Sequence, residues 1–367
     1  QLMGHKVTVY EKRSRLGGML RYGIPGYRFP KERLQYDLDA ICATGIDVQV
    51  DTEIGGTCTL EELRKTFDAV YIAIGAHTDR KLGIDGEGSE GVISAVELLR
   101  QIGDDQMPDF SGKKVIVVGG GNVAMDASRT AVRLGAEKVS VVYRRRQKDM
   151  TALPSEVGGA VAEGVEMITL HAPAGIITGE NGTVTAFRAQ PQIVGKIGND
   201  GRPIPQNARQ PETIIPCDIV IMAVGQAVET ACFEKSGIPV KRGTLVADTG
   251  TAVKDMEGVF TGGDCLSGPS TVIRAIEAGK VAAANIDRFL GYNHKLKVEI
   301  DISFTALREK PLMGRIEMTE REAGERKCDF EICENGMTRE EVAHEASRCL
   351  RCDHFGFGAL GGGISEW

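Results

Sequence analysis

The run that most constrains this chain is "KKVIVVGGGNVAMDASRTAVRLGAEKVSVVYRRR" (113–146). A continuous apolar strand meets Gly119-Gly120-Gly121-Asn122-Val123-Ala124, which opens an amphipathic helix leading to a second apolar strand. In a G-x-G-x-x-A turn of this kind the first glycine permits the tight bend. Gly121 lets a pyrophosphate approach the backbone, and Ala124 keeps helix and strand close. Free N–H groups at the helix start face the phosphates. The second strand ends in Tyr143-Arg144-Arg145-Arg146 rather than in an acid. A carboxylate there would suit the 2′-hydroxyl of NAD, whereas Arg144 and Arg145 suit the 2′-phosphate of NADP. A solvated basic loop is the bland alternative, and position within the unit favours NADP.

Two further segments frame this unit. "FDAVYIAIGAH" (67–77) and "CDIVIMAVGQA" (217–227) are apolar strands ending in Gly75 and Gly225, each expected at a cofactor-facing turn. Their likeness suggests an internal duplication about 150 residues apart. Before them, "HKVTVYE" reads as the second strand of another dinucleotide unit, ending on Glu11. Such a glutamate accepts from an adenosine ribose some twenty residues after a Gly-rich turn, yet only Gln1 to His5 precede this strand. The expected fold is α/β, with two nested Rossmann-like domains of the glutathione-reductase kind and a short C-terminal cysteine-containing extension. The expected partition is 1–110 and 223–291 for one domain, 111–222 for the inserted NADP-binding domain, and 292–367 for the extension.

Local signals sharpen this outline. "GIITGENGTVTAF" (175–187) reads as a hairpin with Asn181-Gly182 in a type I′ turn, and "GNDGRPIP" (198–205) as a second turn. Together they predict a small β-meander over the parallel sheet. Thr59/Glu62, Ser94/Glu97 and Thr338/Glu341 fit capping boxes. Ala124, Ala127, Ala131 and Leu134 form a packing stripe.

A net charge of −7 argues against nucleic acid as a partner, because phosphate binding needs a concentrated basic surface. No apolar run approaches the roughly 18 residues of a spanning helix. The nine cysteines are an odd number, spread widely, which suits a reduced, cytoplasmic protein without a disulfide framework. Cys42, Cys58, Cys217, Cys232 and Cys265 read as core residues or isolated thiols. The histidines show no pair with metal-ligand spacing.

"GVFTGGDCLSGPSTVIRAIEAGKVAAANIDRFLG" (258–291) is a strand, a loop with Asp264, then a long helix. An acid there can hold a flavin's ribityl hydroxyl, and the helix start near Ser270 to Val272 suits the pyrimidine edge, where reduction builds negative charge. With "VTVYEKRSRLGGMLRYGIPGYRFPKE", "AIGA", "VVGGGNVAMDASRTAVRLGA", "YRRR" and "MAVGQ", residues 4 to 291 resemble the glutamate synthase small-subunit family of NADPH-dependent flavoproteins. That family includes the large subunit of NADH-dependent ferredoxin:NADP oxidoreductase. The resemblance implies FAD and NADP(H) as cofactors. It assigns Glu11 to the FAD ribose, Gly18 and Leu20 to the flavin site, Asp264 to the ribityl chain, and Thr271 and Val272 to the pyrimidine edge. It assigns Gly119, Gly121, Asn122, Val123, Arg144 and Arg145 to NADPH. It also implies that an upstream segment, or another chain, supplies the first strand and phosphate loop of the FAD domain.

No cysteine pair lies where disulfide reductases of this architecture carry one, so electrons need another exit. Cys349 and Cys352 form a C-x-x-C, preceded by Cys328 and Cys333, and four thiolates could hold an iron–sulfur cluster or a zinc ion. "FEICENGMTREEVAHEASRCLRC" (330–352) also resembles the iron–sulfur segment of the glutamate synthase small subunit, without the later cysteines. The expectation is an NADPH-dependent FAD oxidoreductase subunit that passes electrons to iron–sulfur carriers in a larger complex, electron-bifurcating forms included. The rival is a non-catalytic flavoprotein-fold scaffold with a zinc-stapled tail. Arg144 and Arg145 would then have no purpose.

Overall fold

The computed structural model describes residues 1–199, 201–248, 251–296 and 313–349. Its central element is a five-stranded parallel sheet in the order Val92–Ser94, Ile219–Met222, Lys114–Val118, Lys138–Tyr143, Glu166–Thr169. Val115 to Val118 and Val139 to Val142 are nearly fully buried, as continuous β-branched runs must be when both faces are covered. The fingerprint helix Asn122–Arg133 packs on one face through Ala124, Ala127, Ala131 and Leu134. Val92–Ser94, which lies before residue 111, is the edge strand of this sheet.

A four-stranded antiparallel ribbon covers the other face. Its spine is the 14-residue strand Val184–Ile197, paired with His171–Thr178, Thr213–Pro216 and Pro203–Asn207. Phe187 and Ala189, fully buried, press it onto Ile116, Val118 and Val220. The hairpin turn differs from expectation. Only Gly182 has a positive φ (81°), and Gly182 N–H donates to the Gly179 carbonyl. Asn181 instead spends its side chain on the Thr183 N–H (3.2 Å) and hydroxyl (2.7 Å), so the loop is a type I turn followed by a left-handed glycine.

The first unit is built from two separate parallel pairs. Thr8–Tyr10 runs beside Asp47–Gln49, and Val70–Ile72 beside Val259–Thr261, a pairing that spans the whole inserted unit. Leu60, Ile72, Phe233, Ile238, Leu245 and Val259 form its core. The capping boxes at Thr59/Glu62 and Thr338/Glu341 are complete, whereas Ser94 caps Glu97 N–H while the Glu97 carboxylate turns to Arg100. Beyond residue 312, a short strand pair (Thr319–Glu320 with Glu334–Gly336) and the helices Ala323–Arg326 and Arg339–Ser347 make up the described extension.

Candidate functional site

The dinucleotide cradle forms because the first two glycines of the fingerprint sit where a side chain could not. A Cβ on Gly119 would stand 2.3 Å from the Ala223 carbonyl oxygen, and one on Gly120 would stand 2.5 Å from the Tyr143 ring. Gly121 is different: its nearest neighbour would be Thr151 Oγ1 at 3.4 Å, so here the bare backbone faces open space. Gly121 is the N-cap of the helix, and no side chain caps it. Asn122 Oδ1 accepts the Leu153 N–H at 2.9 Å, folding the following loop beside Val123 and the helix start. An uncapped helix start beside unhindered backbone fits a pyrophosphate.

Of the three arginines after Tyr143, Arg144 is exposed and Arg146 is held by Asp149 at 2.7 Å. Arg145 is half-buried, its Nε donating to the Pro203 carbonyl at 2.8 Å. They line a recess with Leu170, Val194 and Pro205, so the antiparallel ribbon forms one wall. Sequence reasoning placed the arginines and missed that wall, because the ribbon's contact depends on a bend far along the chain.

The "AIGA" and "AVGQ" turns, 150 residues apart, meet. Gly75 (φ 67°) and Gly225 (φ 121°) flank a two-residue antiparallel pairing of Thr78–Asp79 with Gln226–Ala227, and Arg80 N–H donates to the Gly225 carbonyl. These are the two crossings between the units. Beside them a cleft is lined by Lys12, Arg13, His77, Thr78, Glu97 and Glu229, next to Glu11, which follows the strand Thr8–Tyr10. Glu11 accepts the Arg13 N–H at 2.8 Å. Burial pushes the His77 imidazole down, and Arg13 and Lys12 add to this, so it stays neutral at pH 7.

Gly18 (φ 49°) begins the short helix Gly18–Tyr22, and a Cβ there would meet nothing within 4 Å. Leu20 is half-buried, and its carbonyl accepts from Lys31 Nζ at 2.7 Å, as does that of Ile24. Burial of Lys31, with Arg21 adding repulsion, pulls its ammonium down to about 8. Asp264 opens a one-turn helix and accepts the Ser270 N–H at 3.2 Å, and burial raises its carboxyl. Thr271 provides no side-chain cap to the helix Val272–Phe289, whose first turns are exposed, Ile273 at 70%. An open helix start flanked by apolar side chains and a polar acid fits a flavin's pyrimidine edge and ribityl chain.

The C-terminal cysteines are differently placed. Cys333 is buried, its Sγ 3.4 Å from Arg129 Nη2 and 3.5 Å from Arg133 Nη2, and burial raises the thiol. Cys328 and Cys349 are exposed, and Cys352 lies outside the described residues. Among the described residues these cysteines join no group of three candidate ligands. A group that sequence reasoning passed over does assemble: His5 Nε2 and His294 Nδ1 converge on Asp287 Oδ1 at 2.8 and 2.6 Å. His294 N–H also donates to Oδ2 at 2.7 Å. Ligands around zinc at about 2.1 Å stand roughly 3.3 Å apart, so this trio has the spacing of hydrogen bonds. It ties the segment before the first strand to the end of the long helix. No spacing rule could link residues 5 and 294.

Two parallel-sheet units, a glycine cradle at an uncapped helix start, and paired crossings between the units define a fold with two dinucleotide-binding units. The chain belongs to the pyridine nucleotide-disulphide oxidoreductase family, which it matches over residues 1–279. The chain resembles NADPH-dependent enzymes of the glutamate synthase small-chain kind. It is 37% identical to the beta subunit of an NADP(+)-dependent formate dehydrogenase from Moorella thermoacetica, over 98% of this chain and 53% of that one. It is 33% identical to the NADPH-Fe(3+) oxidoreductase beta subunit of Geobacter sulfurreducens, over 98% of this chain and 59% of that one. The glutamate synthase [NADPH] small chain of Azospirillum brasilense is 34% identical over 83% of this chain and 64% of its own. The chain thus spans 53 to 64% of these relatives' lengths. Among solved structures, Mycobacterium tuberculosis FprA in complex with NADPH shares the fold with a TM-score of 0.65 and 20% identity, over 78% of each chain. Among the described residues no helix is long and apolar enough to cross a membrane.

Proposed function

We propose that this chain is the NADPH-oxidising flavoprotein subunit of a multi-subunit complex, passing electrons from NADPH through FAD to iron–sulfur carriers. The observation that carries the reading is the open backbone at Gly121, with Arg144 and Arg145 following the strand Lys138–Tyr143 that runs beside the fingerprint strand. Gly119, Gly121, Asn122 and Val123 would hold the pyrophosphate, and the two arginines the 2′-phosphate. Glu11, Gly18, Leu20, Asp264, Thr271 and Val272 would hold FAD, with Gly75 and Gly225 keeping the crossings close. Bound FAD supplies the exchange between one two-electron donor and single-electron acceptors. The chain's own task is positioning: the helix start at Val272 favours charge developing on the pyrimidine edge, and the crossings set how the two cofactors face each other.

Further parts of the reading concern what surrounds this chain. The domains would divide as 1–110 with 223–291, 111–222, and 292–367, with the first boundary drawn back so that Val92–Ser94 and the residues through Phe110 join the inserted unit, whose sheet and core they share. Among the described residues Thr8–Tyr10 and Val70–Ile72 each have one pairing partner, and Tyr10 and Phe67 bring their ring centroids to 6.1 Å. A further strand with a phosphate loop, from an upstream segment or another chain, would complete the FAD sheet there. Cys349 and Cys352, with Cys328 and Cys333 as weaker candidates, would ligate an iron–sulfur cluster or zinc. The acceptor would be a ferredoxin-like or other redox subunit. An anaerobic titration of the native assembly with NADPH and then NADH tests this. Stoichiometric flavin bleaching by NADPH, followed by loss of cluster absorbance, is expected, and equal bleaching by NADH would overturn the arginine assignment.

A further inference from the structure

The loop that leads away from the expected flavin contacts does not end at the flavin unit. Eight residues past Met19 it drives Tyr27, fully buried, into the flank of the fingerprint helix. The Tyr27 hydroxyl donates to the Asp126 carbonyl at 3.1 Å, and the Arg133 guanidinium lies over its ring at 3.9 Å. Arg28 follows with a two-pronged grip. Its Nη1 donates to both Asp126 carboxylate oxygens at 2.8 and 2.9 Å, and its Nη2 meets Glu156 at 2.7 Å. Asp126 is one helical turn from Asn122, so the grip falls about 6 Å along the axis from the pyrophosphate cradle.

The C-terminal extension closes the joint from outside. Cys333 N–H donates to the Tyr27 carbonyl at 2.9 Å, and Arg326 Nε reaches Glu163 at 2.9 Å. Planar, bidentate guanidinium contacts in a buried setting resist rotation better than apolar packing alone.

We propose that Tyr27 and Arg28 are positioning residues that fix the separation of nicotinamide and flavin, by pinning the flavin-side loop to the helix that opens the dinucleotide cradle. This rests on the functional reading above. A structure can transmit a small displacement at such a pin directly to the distance between two reacting atoms.

The test uses Arg28→Ala and Arg28→Lys in the full-length protein with its partner subunits. Three quantities are read: flavin bleaching at saturating NADPH by stopped flow, the nicotinamide–flavin charge-transfer absorbance, and amide exchange of residues 18–30 and 122–133. Arg28→Ala should slow bleaching about 10- to 100-fold and weaken the charge-transfer band while NADPH affinity stays near its unaltered value. Both segments should gain exchange together. Arg28→Lys keeps one charge contact and should recover part of the rate. Unchanged bleaching with raised exchange would overturn positioning, and unchanged exchange would overturn the pin itself. If NADPH fails to bleach the unaltered protein, the functional reading falls and takes the hydride distance with it. Uncoupled exchange of the two segments sinks the pin without touching that reading.

Discussion

Gly119 and Gly121 belong to one motif yet serve different masters. A methyl at Gly119 collides with the Ala223 carbonyl at a residue whose φ is 150°, so Gly119→Ala should cost about 2 kcal/mol or more in urea unfolding. A methyl at Gly121 meets only Thr151 Oγ1 at 3.4 Å. Gly121→Ala should therefore leave the unfolding midpoint in place while NADPH binding, followed by calorimetry, weakens at least tenfold. The two arginines divide similarly. Arg144 is exposed, so Arg144→Ala should raise the NADPH Kd about tenfold or more, leave NADH untouched and spare stability. Arg145→Ala should also lower Tm, because its Nε holds the ribbon at Pro203. The spacing of these residues was legible along the chain. Which of them the fold itself needs was not, because Ala223 and Pro203 come from distant strands.

At the scale of elements, the extension is a strap whose anchor is an ion cluster. Glu163 is buried, and burial alone would raise its carboxyl. Hydrogen bonds and charge from Arg133 and Arg129 overcome that and hold it down at about 2, against an ordinary 4.5. Arg326 of the strap shares the same carboxylate. Because the folded value is the lower one, the stabilisation is present above pH 4.5 and is lost as pH falls from there through 2. Proteolysis or amide exchange across 313–349 should thus rise on acidification through that window, before the parallel sheet opens. Glu163→Gln should bring strap release to neutral pH, since three buried guanidiniums would face a neutral partner. A rise in exchange confined to the sheet would contradict this. The capping boxes at Thr59 and Thr338 were readable from four residues each, because a cap is a local bargain. The Asn181 turn was misread, because whether its side chain bonds Thr183 depends on the loop length the strands leave.

For the molecule as a whole, the two strand pairs of the first unit set a prediction about assembly. Thr8–Tyr10, Asp47–Gln49 and most of Val70–Ile72 are half-buried or exposed, unlike Val259–Thr261 and the largely buried strands Lys114–Val118 and Lys138–Tyr143 of the inserted sheet. Extending the chain upstream by a strand, Gly-rich turn and helix should raise Tm by several degrees and keep FAD bound through gel filtration. Residues 1–367 alone should release flavin under the same dilution. Retention by the shorter chain would show that the two pairs suffice. The sequence by itself determined the α/β class, the nested order, the cradle and the arginines, because short-range periodicity and turn chemistry are written within a few residues. Only the tertiary structure decided that residues 5, 287 and 294 share one carboxylate, that Cys333 lies among arginines, and that Tyr27 pins the two units. Those contacts join residues 7 to more than 280 positions apart, and their formation depends on packing that no local pattern encodes.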